Sequence, residues 1–542
     1  MALDAAGRGP FETASARGVV ASPHVLASEA GRDILAAGGN ALDAAIAAAA
    51  TIAVVYPHMN GVGGDNFWLI HDATGQLIGL NAAGRSAAAV DADVYRARFG
   101  DRIPPRGGAA ALTVPGAVSG WWEAHQHSRR RLGSPITWPA LLERAIHHAG
   151  EGFPVSAGQR RTTAAAHDLF GEGTPSEVRR SLWPLYHPTA LAAPSFRQRE
   201  LAGTLAILAA GGAGEFYRGA LGRRTVAAAQ SAGSPLRMED FSAHTADWVE
   251  PLRVRYRRGE AVSLPPPTQG FAALAILALL EGFDVAALSE ADYVHVVVEA
   301  TKLALDDRDR WLTDPTAVPV PVDRCLDRRR LDERRGRISL ATAQPAAGTH
   351  AASGDTIAIV AADAAGNAVS VIQSLYHEFG SGVVAGETGV LLQNRGAFFS
   401  LDPGHPNHLA PRKRTAHTLI PSMYLVGGRP RLVYGTMGGD GQPQTQAALV
   451  TRMVDRGLRP GPAVASPRWL FGRTWGDTSK AVRLEGRFGR DLAESLTGRG
   501  HEVQVVEDWS DLMGHAHLIE IGPDDLVGAS DPRADGAAIG QA

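Results

Sequence analysis

Apolar positions along the chain follow two regimes. Near the start, Ala41-Leu42-Asp43-Ala44-Ala45-Ile46-Ala47 opens a run of small apolar residues that continues to Val55, set off by Gly38-Gly39-Asn40. Its length and punctuation predict a helix able to pack closely against its neighbours, ending near Tyr56-Pro57. A glycine-rich loop, Gly61-Val62-Gly63-Gly64-Asp65, then leads into the strand-like Phe67-Trp68-Leu69-Ile70. From about residue 138 to 302 the periodicity is mostly helical, clearest at 138–142 and 272–280. Within it, 254–257 and 261–264 read as strands, and Pro265-Pro266-Pro267-Thr268-Gln269-Gly270 stops the second. Residues 314–353 are rich in Pro, Arg, Ala and Gly with weak periodicity, which predicts an exposed linker.

Beyond the linker, short strand patterns take over. Residues 356–362 predict a strand, Asp363-Ala364-Ala365-Gly366-Asn367 a turn, and 368–374 a returning strand. A second hairpin spans 423–435 around Gly427-Gly428 and runs through Thr436-Met437-Gly438-Gly439-Asp440 into a helix at 444–454. There is no internal repeat and no extended low-complexity tract. Hairpins flanked by helices predict stacked antiparallel sheets with helical outer layers.

Composition narrows the function classes. The chain has 542 residues, enough for a large core, and by length alone for several domains. Hydrophobic residues make up 45% and charged ones 20%, as in ordinary globular proteins. A net charge of −3, with no basic stripe interleaved with aromatics, argues against a nucleic-acid partner. Arg129-Arg130-Arg131 and Arg328-Arg329-Arg330 read as solvated helix faces. The single cysteine, Cys325, permits no intrachain disulfide and no thiolate metal cluster. With Arg324 opposed by Asp323 and Asp327, it reads as structural. The segment Met1 to Arg8 lacks a basic region followed by an apolar stretch, and 41–55 is too short and Ala-rich to span a bilayer. A soluble cytoplasmic protein with no membrane partner is expected.

The candidate chemistry centres on Thr356, in Ser353-Gly354-Asp355-Thr356-Ile357-Ala358-Ile359-Val360. Cleavage before Thr356 would give that residue a free α-amino group beside its own hydroxyl, so one residue would supply nucleophile and base. Such amines titrate at about 7.7–8.0. Left uncut, Thr356 is simply a strand residue. Gly438-Gly439, between a strand and a helix, can turn its N–H groups outward together. Donors of that kind are worth about 3 kcal/mol each to a developing oxyanion. Taken alone, the pair is equally a tight turn. The loop 61–65 lacks the Lys-Ser/Thr of a P-loop and the spacing of a dinucleotide fingerprint, so close backbone packing is its better reading. His58, His147-His148, His377 and His417 show no metal-ligand spacing. They read as surface or packing residues, except His417, whose role depends on what Thr418 beside it lines. The chemistry requires no metal and no cofactor.

These motifs occur in one order, and that order resembles the γ-glutamyltransferase family of N-terminal nucleophile hydrolases over nearly the whole chain. The matching stretches include Gly38-Gly39-Asn40-Ala41 with Asp43-Ala44, the 61–65 loop, Pro265-Pro266-Pro267, and Glu299-Ala300-Thr301-Lys302 with Asp307-Arg308. After Thr356 come Gly366-Asn367-Ala368-Val369, Phe379-Gly380-Ser381-Gly382-Val383-Val384 and Gly389-Val390-Leu391-Leu392-Gln393-Asn394. Pro421, Gly438-Gly439 and Ala465-Ser466-Pro467-Arg468 complete the order. The resemblance implies an α+β fold, a four-layer αββα sandwich. It further implies a precursor that cuts itself between Asp355 and Thr356 by an N-to-O acyl shift. Residues 1–355 would form a large subunit with the linker at its end, and 356–542 a small one, the pair a heterodimer forming a single catalytic unit. By position Thr356 is then the nucleophile, Gly438 and Gly439 the oxyanion donors, and Ser374 a hydroxyl supporting the nucleophile.

The departures from the family pattern bear on substrate. The arginine that holds the glutamate α-carboxylate is replaced by Asn81, with Arg85 four residues on. Phe398 and Tyr376 replace the acid and the asparagine that grip its α-amino group. His417-Thr418 stands for a pair of serines, and Ile357 for the threonine after the nucleophile. An ammonium taken in without its carboxylate loses charge-assisted hydrogen bonds, so a γ-glutamyl donor is disfavoured. Arg395 brings in a guanidinium suited to a carboxylate, or alternatively one held in a structural ion pair. The runs 376–382, 393–396, 417–421 and 435–444 are most similar to the oxamate amidohydrolase branch. That branch implies a small amide substrate bearing one carboxylate, with Arg395, His417, Thr418, Tyr376 and Asn394 around it. A γ-glutamyltransferase or another acylase is the alternative. A non-catalytic binding relative is disfavoured by the retention of Thr356 and Gly438-Gly439.

Overall fold

The strand pattern around Thr356 folds as a hairpin in the middle of a sheet. In the computed structural model, which describes residues 11–169, 174–345, 355–472 and 479–542, strands Asp355–Asp363 and Ala368–Tyr376 pair antiparallel. Asp363 closes the turn by accepting from the N–H groups of Ala365 and Asn367, and Gly366 takes the left-handed conformation the turn requires (φ 94°). The seven strands of this sheet lie in the order Ala537–Gly540, Gly18–Ser22, Asp355–Asp363, Ala368–Tyr376, Asp65–His71, Leu77–Asn81, Asp247–Val249. A second seven-stranded sheet has the order Glu12–Ser15, Leu526–Ser530, Ala516–Ile521, Arg429–Thr436, Ser422–Val426, Gly259–Ser263, Leu252–Tyr256.

Side-chain alternation along the hairpin splits it between two cores. Ala358, Val360, Ala362 and Ile372 face the second sheet and pack with Val262, Met423, Val433 and Ile519. Ile357, Ile359, Val369 and Val371 face outward into the layer of helices Val25–Ala36, Ala41–Val55, Ala117–Arg131 and Trp138–Glu151. On the far side, helices Gly270–Leu280, Glu290–Trp311 and Gln442–Val454 cover the second sheet through Tyr424, Leu432, Tyr434 and Leu518. The result is the expected α+β arrangement of four layers, helix–sheet–sheet–helix. Helix Ala41–Val55 is buried along its whole length. Asn40 and Asp43 form a capping box at its start, and Ala41 N donates to Asp363 Oδ2 at 2.7 Å, tying the helix to the hairpin turn.

The expected linker over 314–353 is only partly such. Helices Val322–Cys325 and Arg328–Arg335 lie within it and bury Cys325 and Leu331; 346–353 fall outside the described residues. What holds this region is ionic, which is why its apolar periodicity is weak. Arg330 meets both oxygens of Asp307 at 2.7 Å, and Arg334 pairs with the same carboxylate. Arg330 is therefore not part of a solvated face, whereas Arg129, Arg130 and Arg131 are exposed as expected. Burial pushes the Cys325 thiol up to about 11, consistent with an inert structural cysteine. Among the described residues no helix is long and apolar enough to cross a membrane.

A buried charge network locks the end of the chain. Asp531 is gripped by Arg468 at 2.6 Å and Arg533 at 3.0 Å, and Arg533 also meets Glu485 at 2.6 Å. Glu485 lies on strand Val482–Glu485 of a small third sheet. Burial alone would raise the Asp531 carboxyl; the two guanidinium charges overcome it and hold the group well below the usual carboxylate range. A carboxylate depressed by folding contributes stability above its ordinary pKa and loses it as the pH falls through the folded value. Asp531→Ala leaves two buried cations short of a partner and is expected to cost about 3–5 kcal/mol at neutral pH, read as a lowered urea midpoint. The gap from wild type should narrow in acid; a neutral-pH loss below about 1 kcal/mol would contradict the assignment.

Candidate active site

Thr356 stands at a bulge. Asp355 pairs with Tyr376 and Ile357 with Gln373, so the register shifts at Thr356. Beyond the bulge, Ala358 points to the second sheet. The strand is continuous across the 355–356 bond expected to be cut. Thr356 is fully buried, and its Oγ1 donates to Ser374 Oγ at 3.4 Å. Ser374 lies opposite Asp65 on the next strand, and its Oγ accepts from Tyr376 N at 2.7 Å. Tyr376 holds a left-handed backbone (φ 85°), rare for an aromatic residue and typical of strained positions at functional sites.

The direction of the opposite sheet brings Gly438-Gly439 to the same end. Tyr434 O accepts from Ser370 Oγ, and one residue on, Gly435 lies against Ile372 and Ala358. Strand Arg429–Thr436 therefore advances along the hairpin toward Ser374 and Thr356, and the turn after it arrives there. Both glycines take positive φ (123° and 50°), and Gly441 N donates to Gly438 O at 2.8 Å. Among the described residues no acceptor takes the N–H of Gly438 or Gly439. Two free donors at a turn leading into helix Gln442–Val454 suit a developing negative charge.

Arg395 supplies the charge of the cluster. It is buried; its Nη2 lies 3.4 Å from Ser374 Oγ, its Nη1 3.4 Å from Thr418 Oγ1, and its Nε has no partner among the described residues. Tyr376 packs flat on it, with the guanidinium carbon 4.1 Å from the ring centroid. Burial pulls its pKa down to about 10, opposed by the Tyr376 phenol and by Asp65 and Asp440 at longer range. None of these carboxylates is within ion-pair distance, so the structural ion pair allowed by the sequence is not formed among the described residues. His417 is buried against Phe67, with Nε2 3.2 Å from Asp65 Oδ2 and Nδ1 unpartnered among the described residues. Burial, with the charges of Arg395 and Arg414, keeps it neutral, far below 6.5. Burial pushes the Asp65 carboxyl up to about 7 against three donors on Oδ1: Gly84 N, Gly116 N and Gln393 Nε2.

Other expected residues lie elsewhere. Asn394 is braced inside the protein, accepting from His377 N and donating to Pro105 O. Arg85 sits beside Arg414 and Asp247, 3.6 Å from the latter, and Asn81 accepts from Ala83 N. Phe398 packs on Tyr376 at 5.5 Å between centroids. Both rings line a cleft of about 940 Å³ with Phe399, Arg308, Pro105 and Ala416, so Tyr376 is common to the cleft and the buried cluster. Sequence reasoning passed over Asp65 as a loop residue and Gln269 as part of a proline loop. It also passed over His295, Glu299 and His501, whose ligand atoms lie within 4.8 Å of one another. These atoms already engage each other and their surroundings: His295 Nδ1 meets His501 Nε2 at 2.7 Å, and Lys302 occupies Glu299 Oε1 at 2.7 Å.

Comparisons with known proteins bear on family and fold. A family model described as Gamma-glutamyltranspeptidase matches residues 27–541. The chain is 44% identical over 528 residues to the oxamate amidohydrolase proenzyme of Klebsiella pneumoniae, covering 97% of this chain and 99% of that protein. It is 44% identical over 529 residues to the glutathione hydrolase-like YwrD proenzyme of Bacillus subtilis, covering 96% and 98%. The crystal structure of cephalosporin acylase from Bacillus halodurans superposes with a TM-score of 0.90 at 36% identity, covering 98% of this chain and 96% of that one.

The glycine-rich loop before Asp65 is built by close backbone approach. A Cβ on Gly64 would lie 2.3 Å from Ser374 O, while one on Gly61 would make an ordinary 3.6 Å contact with Leu375. Gly64→Ala is therefore expected to destabilise by at least about 2 kcal/mol, and Gly61→Ala by under about 1 kcal/mol, in paired melting measurements. Equal melting temperatures for the two variants would refute this packing.

Proposed function

The chain belongs to the gamma-glutamyltranspeptidase family and is a hydrolase of the N-terminal nucleophile class, and on that premise we propose that it is a self-processing amidohydrolase acting on a small carboxylate-bearing amide such as oxamate. In this reading Thr356 Oγ attacks the Asp355 carbonyl, the peptide shifts to an ester, and water releases residues 1–355 from 356–542. The new Thr356 amine then takes the hydroxyl proton as Thr356 attacks the amide carbonyl. The N–H groups of Gly438 and Gly439 receive the oxyanion, and Ser374 orients the nucleophile. Ammonia leaves with the proton returned by the amine, and water hydrolyses the acyl ester. The two pieces remain together as a heterodimer.

The observation that carries the substrate assignment is Arg395, a buried guanidinium with no carboxylate in ion-pair distance among the described residues, 3.4 Å from each of the Ser374 and Thr418 hydroxyls. A substrate carboxylate would complete it with charge-assisted hydrogen bonds. Thr418, His417 and Tyr376 shape the space around that carboxylate, and Asn394, accepting from His377 N, braces the chain just after Tyr376. Phe398 and Tyr376 offer no acid for an α-ammonium, which disfavours a glutamyl donor. The equal similarity to the glutathione hydrolase-like relative keeps γ-glutamyl hydrolysis as the second reading.

On a denaturing gel the wild type should give pieces of 355 and 187 residues, and Thr356→Ala a single 542-residue band without activity. A processed, active Thr356→Ala protein would sink the assignment. Ammonia release from oxamate, without transfer from a γ-glutamyl anilide to glycylglycine, favours the first reading; the reverse favours the second. Arg395→Met should raise KM for carboxylate amides about 10- to 100-fold, with the fold retained because an apolar chain replaces a buried charge.

A further inference from the structure

The proline loop 265–270 has no part in the chemistry above, yet it reaches both halves of the site. Its backbone runs beside His417: His417 N donates to Pro267 O at 2.7 Å, and Gln269 N donates to His417 O at 2.9 Å. The Gln269 side chain is fully buried. Its two amide hydrogens go to different segments, one to Thr418 O at 3.0 Å and one to Gly439 O at 2.9 Å. Its Oε1 accepts from Arg308 Nη1 at 2.9 Å, and the same nitrogen donates to Asp440 Oδ1 at 2.6 Å. Arg308 is fixed in turn by Asp309 at 2.6 Å.

We propose that Gln269 is a positioning residue: its amide clamps the Gly439 carbonyl to the Thr418 carbonyl and so holds the Gly438-Gly439 donors in register with the Arg395–Thr418 anion site. This rests on the reading of Gly438 and Gly439 as oxyanion donors. The need for a clamp follows from the turn itself. Two consecutive glycines at positive φ have many alternative conformations, and an N–H aimed at a transition state gains its effect only if it is already aimed. Gly441 N holds the Gly438 carbonyl from within the turn; Gln269 holds the next carbonyl from outside, on a loop of the other predicted piece. Arg308 fixes the amide orientation, because a flipped Gln269 would turn its N–H₂ against the guanidinium.

The test compares Gln269→Glu and Gln269→Met with wild type in the full chain. Glutamate keeps the acceptor for Arg308 and loses both N–H donors, so a residue needed only to satisfy Arg308 would survive it. Methionine keeps the length and loses every hydrogen bond. The first readout is kcat and KM for ammonia release from the amide that wild type turns over best. The second is hydrogen exchange in the 436–441 peptide. In both variants kcat should fall about 100-fold while KM moves less than tenfold, and exchange in 436–441 should quicken at least tenfold with the rest of the chain unchanged. Activity within threefold of wild type in either folded variant, or a loss of protection spread evenly over the chain, overturns the clamp. If wild type hydrolyses no amide, the functional reading fails by itself and exchange decides the clamp alone: a local loss supports it, and unchanged protection overturns it. If one variant does not fold, the other carries the test.

Discussion

Strands Asp355–Asp363 and Ala368–Tyr376 are buried on both faces, and neither can slip by one residue without sending its side chains to the wrong core. Ile357 and Ile359 belong to the helix layer, and Ala358 and Val360 to the space between the sheets. That fixed register puts the Thr356 and Ser374 hydroxyls side by side, and a bulge at Thr356 absorbs the mismatch where the strand begins. Helix Ala41–Val55 seals one face and strand Arg429–Thr436 the other, so the geometry of the site is inherited from the packing of the whole sandwich.

Electrostatics then gives the cluster its character. Removing a guanidinium from water costs several kcal/mol, and no described residue beside Arg395 repays it in full. The Tyr376 ring returns about 1–2 kcal/mol as a cation–π contact, and Tyr376 is itself held in a backbone conformation that costs about 1–3 kcal/mol. Asp65 is close enough to be felt, but its carboxylate is committed to Gly84, Gly116, Gln393 and His417. His417 stays neutral and adds no second cation. The pocket is left with a net demand for negative charge, and in the reading proposed above the substrate carboxylate meets it.

The layers and both hairpins were legible in the sequence because period-two alternation and Gly/Asn turns report on packing directly. The ordered motifs also singled out Thr356, Ser374 and Gly438-Gly439, which the opposing sheets bring to one end of the sandwich. What escaped was polar and non-local. Gln269 sits 170 residues from Gly439, and Arg308 132 residues from Asp440, so no spacing rule joins them. Asp65 looked like the end of a packing loop because the glycines before it are indeed packed against Leu391 and Ser374. Residues 314–345 looked like linker because Arg330 and Arg334 hold them through Asp307, where an apolar stripe would have been visible.

The interleaving of the two sheets explains how a chain cut before Thr356 can remain one body. In the first sheet, strand Gly18–Ser22 lies between Ala537–Gly540 and Asp355–Asp363, and Ala368–Tyr376 pairs with Asp65–His71. In the second, Glu12–Ser15 pairs with Leu526–Ser530, and Ser422–Val426 with Gly259–Ser263. Each of these ladders joins a segment before residue 356 to one after it. Separating the pieces would break them all and open the core between the sheets, so the proposed cleavage of one peptide bond would release an amine without loosening the fold. The same interleaving carries the charge network at Asp531 to the site: Arg468 also donates to Gly514 O at 2.7 Å, Gly514 packs on the Met437 carbonyl, and His515 O accepts from Met437 N. The turn at Gly438-Gly439 is thus supported by Gly514 and His515 on one side and by Gln269 on the other, so its shape depends on both predicted pieces being in place.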